Sequence, residues 1–101
     1  MSYSYRILSL AGNELLEAAV WYDEQRRGLG DELILNFEST LNILLRNPFV
    51  YQIRFKDLRL VSISRFPYQI IYYVKKNRVT VVAFHHSKKS SRHWKKRKMT
   101  N

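Results

Sequence analysis

Two hydrophobic periods divide this chain near residue 48. Before it, apolar residues recur every three or four positions. After it, they crowd into short runs dense in β-branched and aromatic side chains. Tyr3 to Leu10 (YSYRILSL) reads as a first strand on that composition. Ser9 and Asn13 are both candidate caps for a following helix that runs to about Arg27, with Ala11, Leu15, Ala18, Ala19 and Tyr22 as its apolar face. Gly28-Leu29-Gly30 supplies two residues tolerant of positive φ for a sharp reversal. Asp31 is then the candidate cap of a second helix, whose buried side is Leu33, Ile34, Phe37, Leu41, Leu44 and Leu45. Asn47-Pro48 ends it, because proline disfavours helical geometry in the residue before it. So short a joint predicts an antiparallel helical hairpin.

The second half has the composition of strands. Leu58 to Phe66, Tyr68 to Val74 and Arg78 to His86 are the three candidates, with Gln52 to Lys56 as a further short or edge strand. Lys75-Lys76-Asn77 is placed as a hairpin turn. Pro67 falls between two strands, since a central strand does not accept it. The order β-α-α-β-β-β predicts an α+β domain, a helical hairpin packed on one face of a twisted, mainly antiparallel sheet. At 101 residues this is one domain, residues 1–101, with a basic tail from about residue 87.

Charge changes the picture more than composition does. Residues 1–47 carry four Lys/Arg against seven Asp/Glu; residues 48–101 carry fourteen against the single Asp57. A field this lopsided suits a polyanion or an acidic partner. There is no Cys, which removes disulfides and thiolate metal sites and fits a reducing compartment. No segment resembles a signal peptide or a membrane span, so a soluble, cytoplasmic protein is expected.

Candidate chemistry follows the cations. Arg54, Lys56, Arg59 and Arg65 surround the first strand of the second half; along it Arg59, Val61, Ile63 and Arg65 are expected to share one face. The tail, from Lys88 to Lys98, adds Lys89, Arg92, Lys95, Lys96 and Arg97 around Trp94. Trp94 is a candidate for stacking on nucleic acid or for anchoring the tail to the sheet. His85-His86 closes the last strand, and alternation along a strand lets at most one of the pair face a given cleft. A metal-free nuclease needs a proton-transfer group and cations for phosphate. Lys56, Arg59, Arg65 and His86 are the residues of the right type. No cofactor or metal is expected.

Two stretches carry a family resemblance. Glu14-Leu15-Leu16-Glu17-Ala18-Ala19-Val20-Trp21-Tyr22, then Gly28-Leu29-Gly30 and a helix ending Asn47-Pro48, form the first. Arg65-Phe66-Pro67-Tyr68-Gln69-Ile70-Ile71-Tyr72-Tyr73-Val74, then Val79 to His86 and Trp94, form the second. In this order they resemble the RelE/ParE superfamily of type II toxins from Tyr3 to Arg97. The resemblance implies a cognate antitoxin whose acidic, partly disordered segment wraps the toxin, and an oligomer formed through it. It implies one of two targets. RelE-like members cut mRNA on the ribosome without metal. In that case Lys56 and Arg65 match sheet cations, and His86 lies near a strand-end His of some members. ParE-like members lack that set and poison DNA gyrase. The WY…GLG and FPY…YY pieces resemble the ParE-like side. Ser87-Lys88-Lys89-Ser90-Ser91 stands where the best-known cutters continue toward their Arg and terminal Tyr.

Overall fold

The computed structural model describes residues 3–97. Strand β1 (Ser4–Ile7) leads into helix α1 (Ser9–Gln25), which is followed by α2 (Leu29–Arg46). Four strands complete the sheet: β2 (Ile53–Phe55), β3 (Leu58–Ser62), β4 (Tyr68–Lys75) and β5 (Arg78–His86). A one-turn helix, α3 (Arg92–Lys95), ends the described chain. The sheet order is β1-β5-β4-β3-β2, antiparallel except for β1, which runs parallel to β5. The α+β architecture agrees with the order of hydrophobic periods. No helix among the described residues is long and apolar enough to cross a membrane.

The helical hairpin buries the face its spacing marked. Ala11, Ala18 and Ala19 of α1 and Leu33, Phe37, Leu41, Leu44 and Leu45 of α2 pack against Val61, Ile70, Tyr72, Val79, Val81 and Phe84 of the sheet. Neither expected cap forms. Leu8, in extended geometry, precedes α1, and Gly28 at φ 89° starts α2, so Asp31 falls inside the first turn. There its charge still favours the positive end of the helix dipole. The two glycines of the joint act differently. Gly28 supplies the positive φ, whereas Gly30 allows close approach: a Cβ there would overlap the Ala19 carbonyl oxygen. The Gly30 amide donates to Asp23 Oδ1 at 2.7 Å, which pins the helices together.

The third strand is shorter than its composition predicts. It ends at Ser62, and Arg65 adopts φ 70° in the loop to β4, so Arg65 does not extend the row Arg59–Val61–Ile63 along a strand. Two other turns use left-handed residues: Lys56 (φ 53°) between β2 and β3, and Lys76-Asn77 (φ 53° and 34°) between β4 and β5. The second pair is the backbone of a tight hairpin whose twist matches that of its strands.

The other face of the sheet is covered only in part. Leu8, Leu58, Ile71, Tyr73, Val82, Ala83 and Trp94 form a second, smaller core under the C-terminal segment. Trp94 is 3% exposed, with Phe55 and His85 edge-on at 6.3 Å each. The tail is therefore ordered through Arg97 and anchored by its tryptophan; the stacking role considered for Trp94 is excluded by burial. Lys98 lies outside the described residues.

Candidate functional site

Strand β1 accompanies β5 only as far as Val81, and from there the edge of β5 has no strand beside it. Ala83 faces Ile71 and Val81 faces Tyr72, so Val82 is an extra, bulged residue. An ion pair closes this edge. Arg97 donates from Nη1 to the Val82 carbonyl at 3.0 Å and binds Glu14 through both Nη atoms, at 2.9 and 2.7 Å. Glu14 Oε1 also accepts from the Phe84 amide at 3.1 Å. A carboxylate from α1 and a guanidinium from the C-terminal segment thus replace the missing strand. Arg97, expected among the free tail cations, is instead a half-buried structural group.

The same edge borders a cleft of about 560 Å³ between α1, the end of β5 and the C-terminal segment. Glu14, Trp21, Tyr68, His86, Lys89 and His93 stand around it, and His85 reaches it as well. Both histidines of the pair line one cleft, contrary to the alternation expected along a strand, because the cleft wraps the end of β5. His85 is buried against Trp94, and its Nε2 lies 2.9 Å from the Lys89 carbonyl, the geometry of a donor. Burial holds its pKa below the ordinary histidine value, against the bond to Lys89, so the ring is neutral with its proton on Nε2. His86 accepts from the Lys88 amide at Nδ1 (3.1 Å) and meets the Tyr68 ring edge-on at 5.1 Å. Burial raises the Tyr68 phenol above its usual pKa, helped by Tyr22 and Glu14 nearby. Among the described residues, no three His, Cys, Asp or Glu are grouped to hold a metal ion.

Two of the residues expected for ribonuclease chemistry, Lys56 and Arg65, lie apart. Lys56 sits in the β2–β3 turn, its Nζ 5.4 Å from the Phe55 ring. Arg65 lies past the opposite end of β3, a five-residue strand and so roughly 16 Å away at about 3.3 Å per residue. Its guanidinium leaves the sheet for the helical layer, where Nη2 meets Glu32 Oε1 at 2.7 Å. The hydrogen bond from Arg65 holds the Glu32 carboxyl below the usual carboxylate range, and Arg26 at 3.2 Å adds to it. Of Lys56, Arg65 and His86, the last borders the cleft, whose lining also holds Lys89, Glu14 and Glu17.

The remaining cations divide. Arg59 is occupied inside the fold, donating to the Phe49 and Tyr51 carbonyls and stacking on Phe49 at 5.2 Å. Arg54, Lys88, Lys89, Arg92, Lys95 and Lys96 are exposed. Lys95 reaches the Phe55 ring at 5.0 Å, which brings it to the ring that Lys56 also touches. Sequence reasoning did not find Glu14, whose partner is 83 positions away, or the cations at the β4–β5 hairpin. Lys75 and Lys76 satisfy a turn by position, and they belong to the same charge surplus.

By sequence the chain matches no family model and no curated protein. The fold decides more. A chain from a solved structure of the "Chromosomal ParDE TA system from P. aeruginosa" superposes with a TM-score of 0.74. The match covers 84% of this chain and 96% of that one at 12% identity. The two chains share one fold. At that identity the likeness belongs to the backbone and carries no residue roles with it.

Proposed function

We propose that this protein is the ParE-like toxin of a type II toxin–antitoxin pair, acting in the cytoplasm by inhibiting DNA gyrase and neutralised by a cognate antitoxin with an acidic segment. The separation of Lys56 from Arg65, at opposite ends of β3, carries the reading. A metal-free nuclease must bring a proton-transfer group and phosphate-binding cations to one bond. Here one cation lies at one end of β3 and the other, past the opposite end, pairs with Glu32 at the surface. An inhibitor that works by binding needs no such convergence. The fold shared with a ParDE chain supports the toxin–antitoxin assignment.

Two surfaces suit protein partners. The exposed cations Arg54, Lys88, Lys89, Arg92, Lys95 and Lys96 complement an acidic segment or an acidic target face. On α1, Leu16, Val20 and Trp21 are each more than half exposed, an apolar stripe that a monomer has no need to present. Controlled expression with pulse labelling of DNA, RNA and protein synthesis tests the proposal. DNA synthesis is expected to stop first, with an SOS response, and Arg65→Ala and His86→Ala are expected to leave the arrest intact. Early loss of translation with cleaved mRNA, abolished by either substitution, would instead establish a RelE-like ribonuclease.

A further inference from the structure

The half of the second sheet face that the C-terminal segment leaves open carries a cationic concavity at the hairpin end of the sheet. Its registers are set by the ladders. Ser4 pairs with Arg78, and Arg78 with Lys75; Arg6 pairs with Thr80, and Thr80 with Tyr73. These six residues form two parallel rows on one face, about 6.6 Å apart along the strands. Lys76 and Asn77 of the turn complete the rim of a hollow of about 430 Å³. Four of the eight lining residues are cations, Arg6, Lys75, Lys76 and Arg78, and none is an acid. None of the four belongs to the three ion pairs among the described residues, which use Arg26, Arg65 and Arg97. Holding four like charges together with no acid in the lining costs self-repulsion that a bound polyanion relieves.

We propose that this hollow binds the phosphate backbone of duplex DNA. The chemistry of the lining selects that anion. No exposed apolar side chain lines it, because Tyr73, the one aromatic present, is 8% exposed. An acidic peptide segment gains most of its affinity from apolar anchors in pockets, and there is none here. A single strand gains much of its affinity from stacking on exposed aromatic rings, and the floor offers none. What remains is charge and polar contact to phosphate, which positions a duplex without reading its sequence. The site lies apart from the cleft beside α1 and does not depend on which enzyme the protein inhibits.

Fluorescence anisotropy with a random 20-base-pair duplex, titrated at several salt concentrations, tests it on the full-length protein. The hairpin variant is Arg6→Gln, Lys75→Gln, Lys76→Asn and Arg78→Gln, with Asn at the position of positive φ because it tolerates that geometry. A charge-matched variant, Lys88→Gln, Lys89→Gln, Arg92→Gln and Lys96→Gln, removes four charges elsewhere. Circular dichroism confirms that both fold. The hairpin variant is expected to bind at least tenfold more weakly than wild type, and its salt slope to fall by about 3, approaching 0.9 for each phosphate that is no longer neutralised. The charge-matched variant is expected to weaken by a several-fold smaller factor. Equal weakening in the two variants would reduce the effect to net charge and overturn the proposal, as would unchanged binding in the hairpin variant. A hairpin variant that no longer binds a poly-glutamate peptide but still binds duplex would assign the hollow to an acidic protein instead. Every readout is binding to naked DNA, so these outcomes leave the gyrase reading to its own test.

Discussion

Tyr72 shows how one polar atom in the core links stability to pH. Its ring is fully buried, and its hydroxyl donates to the Pro48 carbonyl at 2.6 Å, tying the sheet to the exit of α2. Burial pushes the phenol pKa from 10 up to about 12. The folded state therefore keeps the proton more tightly than the unfolded chain. That stabilisation is complete below pH 10 and is lost as pH rises toward 12, on the order of 2–3 kcal/mol in all. Tyr72→Phe is expected to cost about 1–2 kcal/mol at neutral pH, by stranding a buried carbonyl, and to flatten the alkaline limb of the stability curve. Urea melts of both proteins between about pH 7 and 11 measure the two effects together. His85 acts in the opposite direction. Its depressed pKa makes the folded state prefer the neutral ring, so its contribution is present above pH 6.5 and declines as the pH falls further.

The elements were legible where short-range pattern decides them. The helical period on α1 and α2 marked the buried face, and Asn47-Pro48 marked the end of α2, because both signals act within a few residues. The start of α2 was less legible, since Gly28 and Asp31 both carry initiation signals and the backbone followed the glycine. Gly30→Ala is expected to destabilise the protein by about 2–3 kcal/mol, because the new methyl would meet the Ala19 backbone and the Asp23 carboxylate, neither of which is free to move away. Denaturant unfolding measures it. The length of β3 was misread from its apolar residues, because a left-handed Arg65 is a tertiary outcome held by Glu32 on another element. The candidate site was the least legible part. Charge density identified the tail but not the partnership of Arg97 with Glu14, which spans 83 residues and exists only once the bulged edge of β5 needs closing. That partnership makes the C-terminal segment part of the fold. Trp94→Ala is expected to cost about 3–5 kcal/mol by emptying the centre of the second core. Truncation after His86 is expected to abolish the near-ultraviolet signal of a packed structure.

At the scale of the molecule, one fold separates its chemistry by face. The helical layer carries the acids and an apolar stripe; the sheet and the C-terminal segment carry outward cations at two places, the α3 segment and the β4–β5 hairpin. Arg59 and Arg97, partly buried, are occupied by carbonyls and a carboxylate, and Arg65 pairs with Glu32 at the surface. The excess charge left over is presented outward on surfaces that suit binding, and Lys56 and Arg65 stand at opposite ends of β3. Inhibition by contact is the function such an arrangement supports. Its most direct test is a DNA supercoiling assay with purified gyrase and purified protein, run beside cleavage of mRNA on programmed ribosomes. Supercoiling is expected to fall as the protein is added, equally for wild type and His86→Ala, while ribosome-bound mRNA stays intact. Unimpaired supercoiling together with cleaved mRNA would contradict inhibition by contact.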